Sequence, residues 1–217
     1  MFISFEGLDL CGKTTQAQLL ARRLRAKPQE LTRPPGTVHL IREPGGTGIS
    51  ERLRDILLDK ENLAMSDMTE LLLFSASRAQ LVSEVILPAL HRGDLVICDR
   101  YADSTTAYQG YGRGLNLDDI RRINAIATAG TEPDVTIVID ISVEEVERRM
   151  VRAGLSPDRM ESAGRGFYER VRNGYREIAR LEPNRVVCVN GLAEIAAVEE
   201  DIWRALVRRG TIHQQPV

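Results

Sequence analysis

Gly7-Leu8-Asp9-Leu10-Cys11-Gly12-Lys13-Thr14 is the stretch on which the reading of this 217-residue chain turns. It fits G-x-x-x-x-G-K-[ST] at every fixed position, and Thr15 follows. Glycines at the two fixed places let backbone N–H groups curl around phosphate oxygens, and a helix N-terminus adds its positive dipole end. Lys13 is the residue type and position that reaches β/γ-phosphates, and the Thr14 hydroxyl suits Mg²⁺. The flanks agree: Phe2–Glu6 reads as a strand, and 13–24 as a helix with Leu19, Leu20 and Leu24 on one stripe. Residues Gly7 to Thr15 (Gly7, Leu8, Asp9, Leu10, Cys11, Gly12, Lys13, Thr14, Thr15) are therefore expected to bind a nucleoside triphosphate.

Outward from the loop, short apolar runs alternate with helical periods, the pattern of an α/β fold with a parallel sheet. Strands are expected at 38–41, 95–98, Val135–Asp140 and 185–189. Helices are expected at 50–58, 68–91, 117–128, 143–152, 166–181 and 193–207. Ser66-Asp67 can cap the long helix, Gly93 ends it, and Pro88 bends or splits it. The 27–37 stretch, with three prolines and a glycine, reads as an outlying surface loop without function. No repeat or linker divides the chain, so 1–217 is expected to be one domain, with a mobile loop at about 153–166.

Composition excludes several classes. Hydrophobic residues are 43% and charged ones 28%, which suits a folded soluble protein. Lys plus Arg is 29 against 31 Asp plus Glu, so a nucleic-acid polymer is not an expected partner. Neither a signal-peptide pattern nor an apolar run of about 18 residues is visible, and a cytoplasmic, non-membrane location is expected. Cys11, Cys98 and Cys188 have no metal-ligand spacing and read as small buried hydrophobes.

Asp99 ends the apolar run 95–98, the usual place for a second Mg²⁺ partner after a phosphate loop. Asp140 ends another apolar strand and competes for that role. A guanine-reading Asn-Lys-x-Asp is absent, since no Asn precedes Lys. What remains is a small kinase. Arg42, Arg54, Arg78 and Arg100 recur near element boundaries and suggest a second anionic pocket, arginine being suited to bidentate phosphate recognition.

Phe5-Glu6-Gly7-x-Asp9, Arg42-Glu43-Pro44-Gly45-Gly46-Thr47, Leu73-Phe74-x-x-x-Arg78 and Asp99-Arg100-Tyr101-x-x-Ser104-x-x-Ala107-Tyr108-Gln109-Gly110 together resemble the bacterial thymidylate kinases, from about residue 2 to 206. The resemblance implies a three-layer P-loop kinase fold, α/β, with a five-stranded parallel sheet flanked by helices and a mobile lid. It implies transfer of the ATP γ-phosphoryl to dTMP, with Mg²⁺, in a homodimer formed through the long 68–91 helix.

By the same resemblance Arg54 and Arg100 hold the dTMP phosphate, and Phe74 stacks on thymine. Arg78, Thr105 and Gln109 read the base edge, Tyr108 crowds the sugar where a ribonucleotide carries its 2′-hydroxyl, and Glu43-Pro44 shapes the floor. Asp9 is expected near the sugar 3′-hydroxyl and the metal held by Thr14 and Asp99. Leu8 to Cys11 contain no arginine, so the transition-state arginine is expected from the lid. Arg152, Arg159 and Arg165 are candidates, with Arg159, helped by Arg152, the best match. Lys13 and Asp9 complete the catalytic set. Two features depart from the family: Leu10 stands where a small residue, often glycine, is usual, and the 27–37 stretch is long. Val189-Asn190-Gly191 lies where related kinases place adenine.

Overall fold

The computed structural model of the chain describes residues 1–154 and 164–213. Five strands form one parallel sheet: β1 (Phe2–Glu6), β2 (Val38–Arg42), β3 (Leu95–Asp99), β4 (Val135–Asp140) and β5 (Val186–Asn190), in the order β2-β3-β1-β4-β5. The central strands β1, β3 and β4 are almost wholly buried, which is why they read as continuous apolar runs, whereas the edge strands are partly exposed. Cys188 lies on the edge strand β5 and is exposed, so it departs from the expected buried role that Cys11 and Cys98 fill.

Helix α1 (Lys13–Ala26) buries Gln16, Ala17, Leu20, Ala21 and Leu24, one face of a 3.6-residue period. It packs with Ile3, Phe5, Leu95 and Ile97, and with Val198, Ile202 and Leu206 of the last helix. The opposite face of the sheet presents Phe2, Val96 and Cys98 to Leu81, Val82 and Ile86 of the long helix. The three layers expected of the fold are present.

Helices α2 (Gly48–Leu58) and α3 (Asp67–His91) follow β2. Thr47 caps α2 through the Ser50 N–H, and Ser66 caps α3 through the Thr69 N–H. Pro88 neither splits nor ends α3. Proline lacks an N–H and its ring crowds the carbonyl four residues back, and the helix absorbs this with a wider π turn at Val82–Ile86. By length and composition α3 is apolar enough to cross a membrane. Its buried face nevertheless carries Glu70 and Arg78, both ion-paired inside the fold.

The segment after β3 forms an unanticipated helix, α4, with an α turn at Ala102–Thr105 running into a π segment at Thr106–Gly112. Its Thr pair and two glycines give no helical signal; it forms because neighbouring α7 packs closely on it, with Phe167 and Val171 against Gly112 and Tyr111 against Gly174. Then come α5 (Leu117–Ala127), α6 (Val143–Ala153), α7 (Arg165–Leu181) and α8 (Ile195–Arg208). The 27–37 stretch is less peripheral than its composition suggests. It contains a 3-10 turn at Pro28–Glu30, and Leu31 is fully buried and bridges Ile212.

Candidate active site

In an open parallel sheet, ligands bind beyond the carboxyl ends of the strands where the strand order reverses. Here that place lies between β1 and β3, whose ends carry the Gly7 loop and Asp99-Arg100. Gly7 (φ +132°) and Gly12 (φ +101°) supply backbone conformations that L side chains rarely adopt. A Cβ on Gly7 would lie 2.5 Å from the Ile139 carbonyl oxygen, so β4 fixes that position as glycine. Leu10 stands at φ +58°, the left-handed region that favours glycine, so the loop makes its turn there with a leucine. Lys13 is buried and its Nζ donates to the Leu8 carbonyl at 2.7 Å. Arg149 of α6 donates to the carbonyls of Leu10 (3.0 Å) and Gly191 (2.9 Å), tying the loop to the turn after β5.

The Thr14 hydroxyl donates to Asp99 Oδ2 in a very short contact. A hydroxyl and a carboxylate at one point are the hard oxygen ligands that Mg²⁺ takes, along with phosphate oxygens and water. These residues fit the ion. Asp140, the rival, is instead occupied by Arg172 and Arg176 at 2.7–3.1 Å.

A cleft opens beside the loop. All nine residues expected around the acceptor line it: Glu43, Pro44, Arg54, Phe74, Arg78, Arg100, Thr105, Tyr108 and Gln109. Asp9, Leu58 and Ser104 line it too. They come from the β1, β2 and β3 ends and from α2, α3 and α4. Arg54 is half-buried, with Nη1 on the Pro44 carbonyl at 3.0 Å.

Arg78 is 2% exposed. Its Nε donates to Glu43 (2.8 Å), Nη1 to Thr105 (2.9 Å) and Asn124 (3.2 Å), and Nη2 to the Tyr101 carbonyl (3.1 Å). A guanidinium has five N–H groups, so one Nη2 hydrogen is left for the cleft. Burial pushes the Glu43 carboxyl up to about 7, against the pull of Arg78, and its Oε1 is buried without a hydrogen-bond partner. Gln109 is oriented by donating to Glu70 at 2.8 Å, and Arg113 also pairs with Glu70.

Asp9 accepts from Arg100 (2.5 Å), Tyr108 (3.0 Å) and Tyr168 (3.3 Å). Burial would raise its pKa, but Arg100 and Lys13 outweigh it and hold the carboxyl below its usual range. Asp9 is thus engaged on the acceptor side of the loop. Tyr168 and Tyr175 of α7 were not singled out from the sequence, although their seven-residue spacing places them on one helix face. Arg149, Glu70 and Arg113 escaped notice too, since each acts through contacts distant in the chain.

Of the arginines expected from a lid, Arg152 is exposed on the last turn of α6, and Arg165 pairs with Glu144, Glu147 and Glu169. Arg159 lies outside the described residues.

Comparison with known proteins bears on the same region. The family model described as thymidylate kinase matches residues 5–202. A thymidylate kinase of Caldanaerobacter subterraneus subsp. tengcongensis is 46% identical over 205 residues, covering 94% of each chain. One from Prosthecochloris aestuarii is 46% identical over 224 residues, covering 99% of this chain and 97% of its own. The crystal structure of thymidylate kinase from Ehrlichia chaffeensis superposes with a TM-score of 0.75 at 35% identity, over 95% of this chain and 97% of that one. With a sheet, loop and cleft built as above and a match spanning nearly its whole length, the chain belongs to the thymidylate kinase family.

Proposed function

We propose that the protein transfers the γ-phosphoryl group of ATP to dTMP, giving dTDP and ADP. The observation that carries this reading is the convergence of nine side chains from separate elements on one cleft beside the phosphate loop. The loop amides and Lys13 hold the ATP phosphates, and Thr14 with Asp99 would hold Mg²⁺, which neutralises charge on the β- and γ-phosphates when bound. The adenine is proposed to lie at Val189-Asn190-Gly191, the turn that Arg149 ties to the loop.

In the acceptor cleft Arg54 and Arg100 fix the dTMP phosphate, and Phe74 offers its face to the thymine. Arg78 has one N–H for a base carbonyl, and Gln109, its nitrogen bound to Glu70, has its oxygen for the thymine N3–H. Tyr108, locked between Asp9 and Arg100, fills the space a 2′-hydroxyl would need. A phosphate oxygen of dTMP then attacks the γ-phosphorus in line, and the bond to the β–γ bridging oxygen breaks. Positioning and charge neutralisation are the protein's main contributions to such a transfer. The lid at about 153–166 is proposed to close over the site, with Arg159, aided by Arg152, neutralising charge in the transition state. Arg159→Ala is then expected to lower kcat by about 10³-fold, and a loss under about threefold would remove that role.

The chain is proposed to act as a single domain in the cytoplasm, as a homodimer through α3. Exposed Met68 and Leu72 on α3, with Ile49 and Ile56 on α2, supply apolar surface for it. Sedimentation of the purified protein decides the oligomeric state. A coupled ADP-release assay across dTMP, dUMP, dCMP, dGMP and AMP, with and without Mg²⁺, tests the reaction. Preference for dTMP and dependence on Mg²⁺ are expected; preference for another monophosphate overturns the substrate.

A further inference from the structure

Glu6 is fully buried at the end of β1 and does not line the acceptor cleft. Side chains alternate along a strand, so Glu6 shares a face with Ser4, opposite to Ile3 and Phe5. Around Glu6 that face is covered by α4 and α7. Burial next to Asp103 raises the Glu6 carboxyl to about 7, while Ser104 and Arg100 pull it down. Such a group is retained in an interior only where it has partners, and its partners converge on one residue.

The Arg100 N–H donates to the Phe5 carbonyl at 2.9 Å, extending the β1–β3 pairing by one step. Arg100 then adopts φ +73°, a strained backbone for a residue with a Cβ. The next N–H, that of Tyr101, is turned inward and donates to Glu6 Oε1 at 2.7 Å. The other carboxylate oxygen, Oε2, accepts from the Ser104 hydroxyl (2.5 Å) and the Tyr175 hydroxyl (2.9 Å). Those same two hydroxyl oxygens accept from Arg100 Nη1, at 3.2 and 3.3 Å, and share its two hydrogens with the Gly7 carbonyl at 3.1 Å.

A hydroxyl has one hydrogen to give. When Ser104 and Tyr175 each give theirs to Oε2, their lone pairs are left facing the guanidinium. Both hydroxyls point at the one carboxyl oxygen, and that shared acceptor sets the direction of each.

We propose that Glu6 is a positioning residue for Arg100, holding its backbone turn with Oε1 and its guanidinium, through Ser104 and Tyr175, with Oε2. This rests on the reading of Arg100 as a ligand of the acceptor phosphate. Tyr175 lies on α7, so the same relay joins that helix to the acceptor site. Glu6 touches no substrate in this scheme; its effect reaches the reaction only through Arg100.

Glu6→Gln tests it, because the amide keeps the size but has only one oxygen, so in either orientation N–H donors stand where Oε1 or Oε2 accepts. The KM for dTMP is expected to rise about tenfold, with the KM for ATP within about twofold. Calorimetric affinity for dTMP without ATP should fall in parallel. In an Arg100→Lys background the Glu6→Gln effect on dTMP should shrink to less than about twofold, since both act on one contact. Tyr175→Phe removes one bridging hydroxyl and should raise the dTMP KM by about threefold; it carries the test if Glu6→Gln does not fold. Equal rises in both KM values, or an undiminished effect in the Arg100→Lys background, overturn the proposal. If Arg100→Lys weakens dTMP while Glu6→Gln and Tyr175→Phe do not, this inference alone fails. If Arg100→Lys leaves dTMP binding unchanged, the phosphate role of Arg100 falls and this inference with it.

Discussion

The phosphate loop and the acceptor cleft sit side by side and are built in opposite ways. The loop is eight consecutive residues whose shape comes from backbone angles: Gly7 and Gly12 at positive φ, Leu10 forced into the same region, and α1 beginning at once. The cleft is assembled from six elements, and its side chains hold one another. Arg78 is held by Glu43, Thr105, Asn124 and the Tyr101 carbonyl, and Arg100 by Asp9, Ser104, Tyr108 and Tyr175. A loop made by local geometry tolerates side-chain change except where the chemistry sits and at Gly7, where β4 leaves no room for a Cβ. A cleft made of mutually paired side chains couples recognition to stability.

The largest test of that contrast is Lys13→Ala. Removing the loop cation should lower kcat by about 10²–10³-fold, while calorimetric dTMP affinity stays within about twofold. A parallel loss of dTMP affinity would mean that loop and cleft are one energetic unit.

Arg78→Met probes the cleft. It removes the partner of a buried carboxylate and should destabilise the protein by about 3–5 kcal/mol in denaturant unfolding. Arg54→Met, at a half-buried position, should raise the dTMP KM with stability changed by less than about 1 kcal/mol. If the two substitutions behave alike, pairing does not distinguish the arginines.

Titration gives the third test. The Glu43 carboxyl is raised to about 7, chiefly by burial. Between its ordinary range and that value the folded state binds more protons than the unfolded one, so stability is greatest on the acid side and falls as pH rises through about 7. The slope between about pH 5 and pH 8 should amount to about 1–3 kcal/mol from this group, and Glu43→Gln should flatten it. An unchanged slope would place the titration elsewhere.

The smallest effect belongs to the loop. Leu10→Gly relieves a left-handed leucine and should change stability by no more than about 1 kcal/mol, with the ATP KM unaltered. A large loss would show that Leu10 packs, and that the loop is not shaped by its backbone alone.

Legibility followed the same division. The strands were readable because β1, β3 and β4 are buried on both faces, and α1 because its apolar residues keep one stripe. Helix α4 was not, since its glycines and threonines carry no helical period and its conformation depends on the packing of α7. The cleft residues were named through motif resemblance, and without it Phe74 reads as one more apolar residue on a leucine-rich helix. The tyrosines of α7 escaped because they meet Glu6 and Asp9 from 169 and 159 positions away in the chain.

By itself the sequence determined a phosphate-binding strand–loop–helix, a parallel α/β sheet and membership of a kinase family. These depend on neighbours a few residues apart, through glycine φ angles, side-chain periodicity and helix dipoles. Long-range packing set the rest: Arg78 is buried with one hydrogen to spare, Asp99 meets Thr14 while Asp140 is taken by α7, and Glu6 stands behind Arg100. Hydrogen-bond partners are set by where the chain returns in space, and no local pattern encodes that return.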